Sequence, residues 1–119
     1  MTLREYIIFN ESRQFPVKIL TMKYSLAEIN SILKQHREEI CRRYRVKEIG
    51  VFGSFVRGEE KKRSDVDILV EYEVVPDLLE FIALENYLEK LLIMKVDLVR
   101  KTVIRPELKD IILNEVVYI

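Results

Sequence analysis

Three aspartates lie inside otherwise apolar runs, where an isolated charge is costly to place. Asp65 and Asp67 belong to the run DVDILV, and Asp97 belongs to the run VDLV. Residues i and i+2 of a strand point to the same face, with Cα atoms roughly 6–7 Å apart, so Asp65 and Asp67 can converge on one point. Asp97 would face the same point if its strand lies alongside.

The three carboxylates predict a divalent-cation site, because like charges placed close together repel unless a cation lies between them. Oxygen ligands alone favour Mg²⁺ or Mn²⁺ over zinc. A nitrogen–sulfur site is disfavoured, since the chain has one histidine, His36, and one cysteine, Cys41. We interpret His36 as a boundary residue of a buried helix face and Cys41 as a small packing residue.

A glycine–serine pair, Gly53-Ser54, follows an apolar run, and ten residues separate it from Asp65. Such a pair at the start of a helix turn offers backbone N–H groups and a hydroxyl to an anion, as phosphate-binding turns do. Ser54 as a helix cap would use the same N–H groups, so the two interpretations are compatible. Together with a carboxylate-bound metal, this pair is the equipment for phosphoryl or nucleotidyl transfer.

The elements that must position these residues alternate along the chain. Helices are predicted over about 26–43, after a capping box of Ser25 and Glu28, over 78–92, after Asp77 and Glu80, and from Pro106 onward. Short apolar runs predict strands at 49–52, 66–70 and 96–99, with an edge strand at 116–119. The order helix, strand, strand, helix, strand, helix predicts an α+β or α/β sheet with helices packed against it.

The composition restricts the function classes. The chain has 119 residues with 20 Lys+Arg and 20 Asp+Glu, so no bulk basic field is present and strong nucleic-acid binding is not expected. No apolar run approaches the roughly 20 residues of a membrane span, and a single cysteine excludes an internal disulfide. These features predict one cytoplasmic domain over 25–119, preceded by an N-terminal arm over 1–24 with a short strand at Tyr6–Phe9.

The stretch GSFVRGEEKKRSDVDILV, with the later single Asp97, resembles the signature of the minimal nucleotidyltransferases of the DNA polymerase β superfamily. The resemblance covers about residues 25–119. It implies a polymerase β-like α+β fold, a small mixed sheet flanked by helices. It also implies Mg²⁺-dependent transfer of AMP from ATP, with two metal ions.

Within that family, the first two aspartates of the motif match Asp65 and Asp67 and ligate the metals. The third, matching Asp97, shares one metal and helps to activate the acceptor hydroxyl as a base. Gly53 and Ser54 would hold the β- and γ-phosphates. Three other charged sites each have two open interpretations. Arg57 is a nucleotide contact or a salt-bridge partner, and Lys61–Arg63 is a solvated loop or a phosphate- or partner-facing run. Glu115 is interpreted as a surface charge, with a functional role left open.

The acceptor of the AMP group lies on another molecule, so only the resemblance indicates what it is. The chain is similar to the MntA-type antitoxins, which are encoded beside a HEPN-domain ribonuclease toxin and place AMP on a toxin tyrosine. This implies a HEPN toxin as partner, with which the chain can form a hetero-oligomer. Two alternatives stay open: a non-catalytic antitoxin that blocks its toxin by complex formation, and nucleotidyl transfer to RNA or a small molecule.

Overall fold

The computed structural model describes residues 25–59 and 65–119. The helices in this part of the chain are α1 (Leu26–Gln35), α2 (Arg37–Tyr44), α3 (Ser54–Arg57), α4 (Leu78–Leu92) and α5 (Pro106–Glu115). The strands are β1 (Val46–Phe52), β2 (Val66–Tyr72), β3 (Val96–Arg100) and β4 (Val117–Tyr118), with a 3₁₀ turn at Lys101–Val103. The strand predicted at Tyr6–Phe9 and the basic run Lys61–Arg63 lie outside the described residues.

The strands form one mixed sheet in the order β3-β2-β1-β4. β1 is antiparallel to both β2 and β4, whereas β2 and β3 are parallel. A parallel pair needs a crossover connection, and α4 supplies it between β2 and β3. This arrangement confirms the predicted α+β fold with a small mixed sheet and flanking helices.

The hydrophobic core lies between one face of the sheet and the helices α1, α2 and α4. Alternate strand residues supply one side of it, because side chains along a strand point to opposite faces in turn. The other side comes from helix residues spaced about one turn apart. Fully buried members are Ile29, Leu33, Ile40, Val51, Val66, Ile68, Val70, Leu84, Leu88 and Leu92.

The helix predicted as continuous over 26–43 is two helices that meet at His36, so that prediction is wrong in this respect. The Nδ1–H of the His36 ring donates to the carbonyl of Ile32 at 2.9 Å, and this carbonyl is the usual acceptor for the His36 backbone N–H. That N–H bonds the carbonyl of Leu33 at 3.1 Å instead. The half-buried His36 ring therefore takes the place of one helical hydrogen bond, and the first helix ends there.

The remaining predicted elements are present with shifted ends. The first strand begins at Val46 rather than Ile49, and the second runs on to Tyr72. α4 begins at the predicted capping box: Asp77 Oδ1 accepts from the N–H of Glu80 at 2.7 Å, and Glu80 Oε1 accepts from the N–H of Asp77 at 3.3 Å. Among the described residues, no helix combines the length and apolar character needed to cross a membrane.

Candidate active site

Asp67 and Asp97 occupy directly paired positions of the parallel strands β2 and β3. Their neighbours Val66, Ile68, Val96 and Leu98 are buried in the core under the helices. Because strand side chains alternate, both aspartates lie on the opposite face of the sheet. The charge of Asp97 acts on Asp67 and raises the pKa of the Asp67 carboxyl group. The pairing that we expected only if the third strand lay alongside is therefore present.

Asp65 lies one residue before β2 and is exposed. It is close enough to act electrostatically on Asp67, but it does not complete a compact three-carboxylate cluster. Within residues 25–59 and 65–119, no three His, Cys, Asp or Glu side chains are close enough together to hold one metal ion. The structure thus brings together two of the three predicted metal ligands, and the ligand role of all three stays a prediction.

Among the carboxyl groups in the described part of the chain, that of Asp67 is the one whose pKa is clearly raised. The pKa of Asp67 is raised from 3.8 to about 6, and burial is the largest cause. The charges of Asp97 and Asp65 and a hydrogen bond with Asp97 raise it further, while the charge of Arg57 lowers it. The neutral form is favoured because a half-buried carboxylate beside two others is poorly stabilised. A bound cation would remove this repulsion, and an all-oxygen donor set is the kind that Mg²⁺ prefers. The oxygen donors of Asp67 and Asp97 therefore fit Mg²⁺ in their chemistry, with two of the three predicted ligands brought together.

The turn at Gly53 lies against Asp67. Gly53 is buried, its φ is +81°, and a Cβ built at this position would overlap the Asp67 carboxylate, whose Cγ would lie only 2.9 Å away. The Gly53 carbonyl accepts from the N–H groups of Val56 and Arg57 at 3.0 and 3.1 Å, which starts α3 as expected for a helix turn opened by a Gly-Ser pair. Only a residue without a side chain allows this approach.

Ser54 is the first residue of α3, and its side chain is half-buried. The N–H groups of Ser54 and Phe55 belong to the first turn, where a helix has no internal acceptors for them. They lie next to Gly53, and Gly53 touches Asp67. The predicted phosphate-holding turn and the predicted metal ligands are therefore neighbours. Their roles toward phosphate stay predictions.

Arg57 is held by two glutamates. Its Nε donates to Glu59 at 3.0 Å, and its Nη1 donates to both Oε2 and Oε1 of Glu115, at 3.0 and 3.1 Å. These hydrogen bonds, that of Glu59 first, raise the pKa of Arg57. Of the two interpretations of this residue, the salt bridge is observed, and the contact with a nucleotide stays a prediction.

Glu115 is not the free surface charge that we expected, and that interpretation is wrong. Only 16% of its side chain is exposed. Besides binding Arg57, its Oε1 accepts from the N–H of Gly53 at 2.9 Å. Sequence reasoning missed this residue, although one signal was present: it is an acid in the last turn of α5, a turn with no basic residue. An acid there opposes the helix dipole.

Glu115 lies two residues before strand β4, so the pairing of β4 with β1 fixes its position. β4 pairs with β1 at Gly50 and Val51. A Cβ at Gly50 would lie 2.8 Å from Cγ2 of Val116 and 2.9 Å from the carbonyl oxygen of Val117, so a glycine lets the two segments approach. The same strand β1 leads directly into Gly53. Both ends of the Glu115–Gly53 hydrogen bond are therefore attached to one strand pair.

Comparison with known proteins places the chain in a family. The family model described as nucleotidyltransferase domain matches residues 33–119. The chain is 55% identical over 95 residues to the protein adenylyltransferase MntA of Thermococcus cleftensis, an alignment that covers 80% of this chain and 96% of the relative.

Solved structures with the same architecture include a candidate minimal nucleotidyltransferase, with a TM-score of 0.61 and 31% identity, covering 87% of this chain and 96% of that chain. A toxin–antitoxin crystal structure with AMP-PNP is also similar, with a TM-score of 0.60 and 27% identity, covering 76% of this chain and 70% of that chain. The chain belongs to the nucleotidyltransferase domain family, as a minimal nucleotidyltransferase similar to MntA.

Proposed function

We propose that this nucleotidyltransferase transfers AMP from ATP to a tyrosine hydroxyl of a HEPN toxin and acts as the antitoxin of that toxin. The observation that carries the proposal is the paired Asp67 and Asp97 beside the Gly53-Ser54 turn. This arrangement sets a candidate magnesium site next to a candidate phosphate site. Support also comes from the relative named as a protein adenylyltransferase and from the similar toxin–antitoxin complex that contains AMP-PNP, an analogue of ATP.

In the proposed reaction, the acceptor hydroxyl oxygen forms a bond to the α-phosphorus of ATP. The bond from that phosphorus to the oxygen bridging the β-phosphate breaks, and diphosphate leaves. Asp97, which is exposed beside Asp67, accepts the proton of the hydroxyl. Mg²⁺, when bound, supplies positive charge that stabilises the triphosphate and the leaving group.

The other residues of the site hold the nucleotide in this proposal. Asp65, Asp67 and Asp97 would bind the metal ions. The first-turn N–H groups and the hydroxyl of Ser54, beside Gly53, would bind the β- and γ-phosphates. Arg57, with 45% of its side chain exposed, would bind a phosphate oxygen through a guanidinium N–H.

Intact-protein mass spectrometry of the cognate HEPN partner tests the proposal. The partner is incubated with ATP, Mg²⁺ and either the wild type or Asp67→Asn. We expect mass increments of AMP with the wild type and at least about a hundredfold slower labelling with the variant, because a metal ligand is lost. Glu71→Gln is the matched control: Glu71 lies on the same strand and face but binds Lys47 and Lys101, and its labelling should equal that of the wild type.

Two other outcomes would contradict the proposal. If no increment appears while wild type and Asp67→Asn both suppress the toxin, the protein acts by complex formation alone. If AMP is transferred to RNA or to a small molecule but never to the HEPN protein, the enzyme is a nucleotidyltransferase with a different acceptor.

A further inference from the structure

Glu115 breaks a local rule of helix construction. It stands in the last turn of α5, where the helix dipole disfavours an acid, and that turn contains no basic residue. Nevertheless, only 16% of its side chain is exposed. A cost of this kind is expected where a side chain is required for function.

The Glu115 carboxylate accepts three hydrogen bonds. It accepts from the N–H of Gly53 at 2.9 Å and from Arg57 Nη1 at 3.0 and 3.1 Å. These donors belong to the turn that precedes α3 and to the last residue of α3. One side chain therefore fixes both ends of this short helix.

Gly53 is restrained from two directions. Its N–H is bound by Glu115, and the Asp67 carboxylate fills the place where a Cβ would lie. A shift of the turn away from Glu115 would change the distance between Ser54 and Asp67. The spacing of the candidate phosphate and metal sites thus depends on a residue that is 62 positions distant in the chain.

We infer that Glu115 is a positioning residue for the nucleotide: it holds the Gly53-Ser54 turn and the Arg57 guanidinium in the geometry that receives the triphosphate. This inference rests on the nucleotide-binding function proposed above. Glu115 itself contacts neither the nucleotide nor the acceptor in this scheme. Its removal should therefore weaken binding of ATP more than it slows the chemical step.

Isothermal titration calorimetry with MgATP tests the inference without any acceptor protein. We expect Glu115→Ala to bind MgATP about tenfold more weakly than the wild type, since charge-assisted hydrogen bonds that orient the site are lost. Glu115→Gln keeps an acceptor for the N–H of Gly53 and should recover part of the affinity. Glu107→Gln is the matched control, because Glu107 lies on the same helix with 66% of its side chain exposed.

Steady-state AMP transfer separates positioning from a merely structural role. For Glu115→Ala we expect a raised KM for ATP with a kcat within about threefold of the wild type. Because Glu115 also accepts from the N–H of Gly53, the double variant Arg57→Ala/Glu115→Ala should bind ATP more weakly than Arg57→Ala alone, but by less than the two single losses combined. Circular dichroism at the assay temperature verifies that each variant is folded, and Glu115→Gln serves as the test if the alanine variant is not.

Three results would overturn the inference. Unchanged affinity in Glu115→Ala and Glu115→Gln would leave Glu115 without a role in the site. Tighter binding would mean that its carboxylate competes with phosphate for the same donors. A fall in kcat alone, with KM unchanged, would indicate a structural role. Failure of the wild type to bind MgATP is a distinct result, which overturns the proposed function as well.

Discussion

The two faces of the sheet differ in what they carry. On the face under the helices, Val66, Ile68 and Val70 of β2 are fully buried and belong to the same hydrophobic core as the leucines of α4. On the other face, the intervening positions of the same strand include Asp67 and Glu71, both half-buried. Consecutive residues of one strand therefore serve different purposes. The covered face carries the core, and the other face carries the candidate site beside the buried Leu69. We therefore expect substitutions at Asp67 and at Ile68, one residue apart, to differ in whether they impair activity or folding.

The largest effect on stability is expected when a charged residue is introduced on the covered face of the sheet. Ile68→Asp places a carboxylate at a position with 0% exposure and no partner, at a cost of more than about 4 kcal/mol. This is comparable to the whole stability of a small domain, so the variant should be largely unfolded at 25 °C. Circular dichroism and thermal melts measure the fraction of the variant that is unfolded.

The neighbouring substitution, Asp67→Asn, is the control for that experiment. It should keep the native spectrum and a cooperative melt while it loses AMP transfer. A native-like melt for Ile68→Asp, or an unfolded Asp67→Asn, would show that the two faces are not separated in this way.

A smaller effect is expected at the turn that joins the sheet to α3. Gly53→Ala must adopt a φ of +81° and also displace the Asp67 carboxylate. We expect a loss of about 1–3 kcal/mol in the free energy of unfolding and a fall of more than tenfold in AMP transfer. Chemical denaturation and the mass-spectrometric assay report the two quantities.

Gly58→Ala separates the contributions of strain and contact. Gly58 also has a positive φ, +70°, but no atom lies within 4 Å of the place where its Cβ would be. This variant should lose only about 1 kcal/mol and keep its activity. Equal losses of activity in both variants would argue that backbone strain, rather than the contact with Asp67, is what matters.

The smallest effect is a dependence of stability on pH. Folding raises the pKa of Asp67 from 3.8 to about 6, so ionisation of this group opposes folding. Its contribution to the free energy of unfolding is fully present below about pH 4 and is lost as the pH rises through 6. In EDTA, Asp67→Asn should therefore exceed the wild type in stability above pH 6 by about 1 kcal/mol, a figure reduced for solvent screening of a half-exposed group. Near pH 4 the difference should vanish.

Thermal melts over this pH range, with and without Mg²⁺, measure the difference. Added Mg²⁺ should narrow the gap at pH 7.5 by stabilising the wild type. A wild type that is more stable than Asp67→Asn at pH 7.5 in EDTA would contradict the electrostatic description of the site.

Features encoded in local patterns could be predicted from the sequence. The capping box of Asp77 and Glu80 marked the start of α4, and the apolar runs that contain Asp67 and Asp97 marked the strands β2 and β3. The Gly-Ser pair was correctly placed at the opening of a helix turn. In each case the signal lies within a few residues of the feature that it predicts.

Features that depend on distant contacts could not be predicted in this way. Glu115 meets Gly53 across 62 positions, and no local pattern names that partner. His36 follows the apolar period of its helix, so only the bond from its ring to Ile32 reveals the break. Asp65 satisfied the i, i+2 spacing, but β2 begins after it, and strand geometry therefore does not hold it in place.

The register of β2 against β3 has a consequence for how the gene can change. A single-residue insertion or deletion in either strand would exchange the two faces there, carrying Asp67 or Asp97 toward the leucines and a valine or isoleucine toward the site. A change of two residues would keep the faces but separate the two aspartates by about 7 Å. A small change of length in these strands would therefore disturb either the packing of the core or the pairing of Asp67 with Asp97. We expect length variation to accumulate in the connecting loops instead.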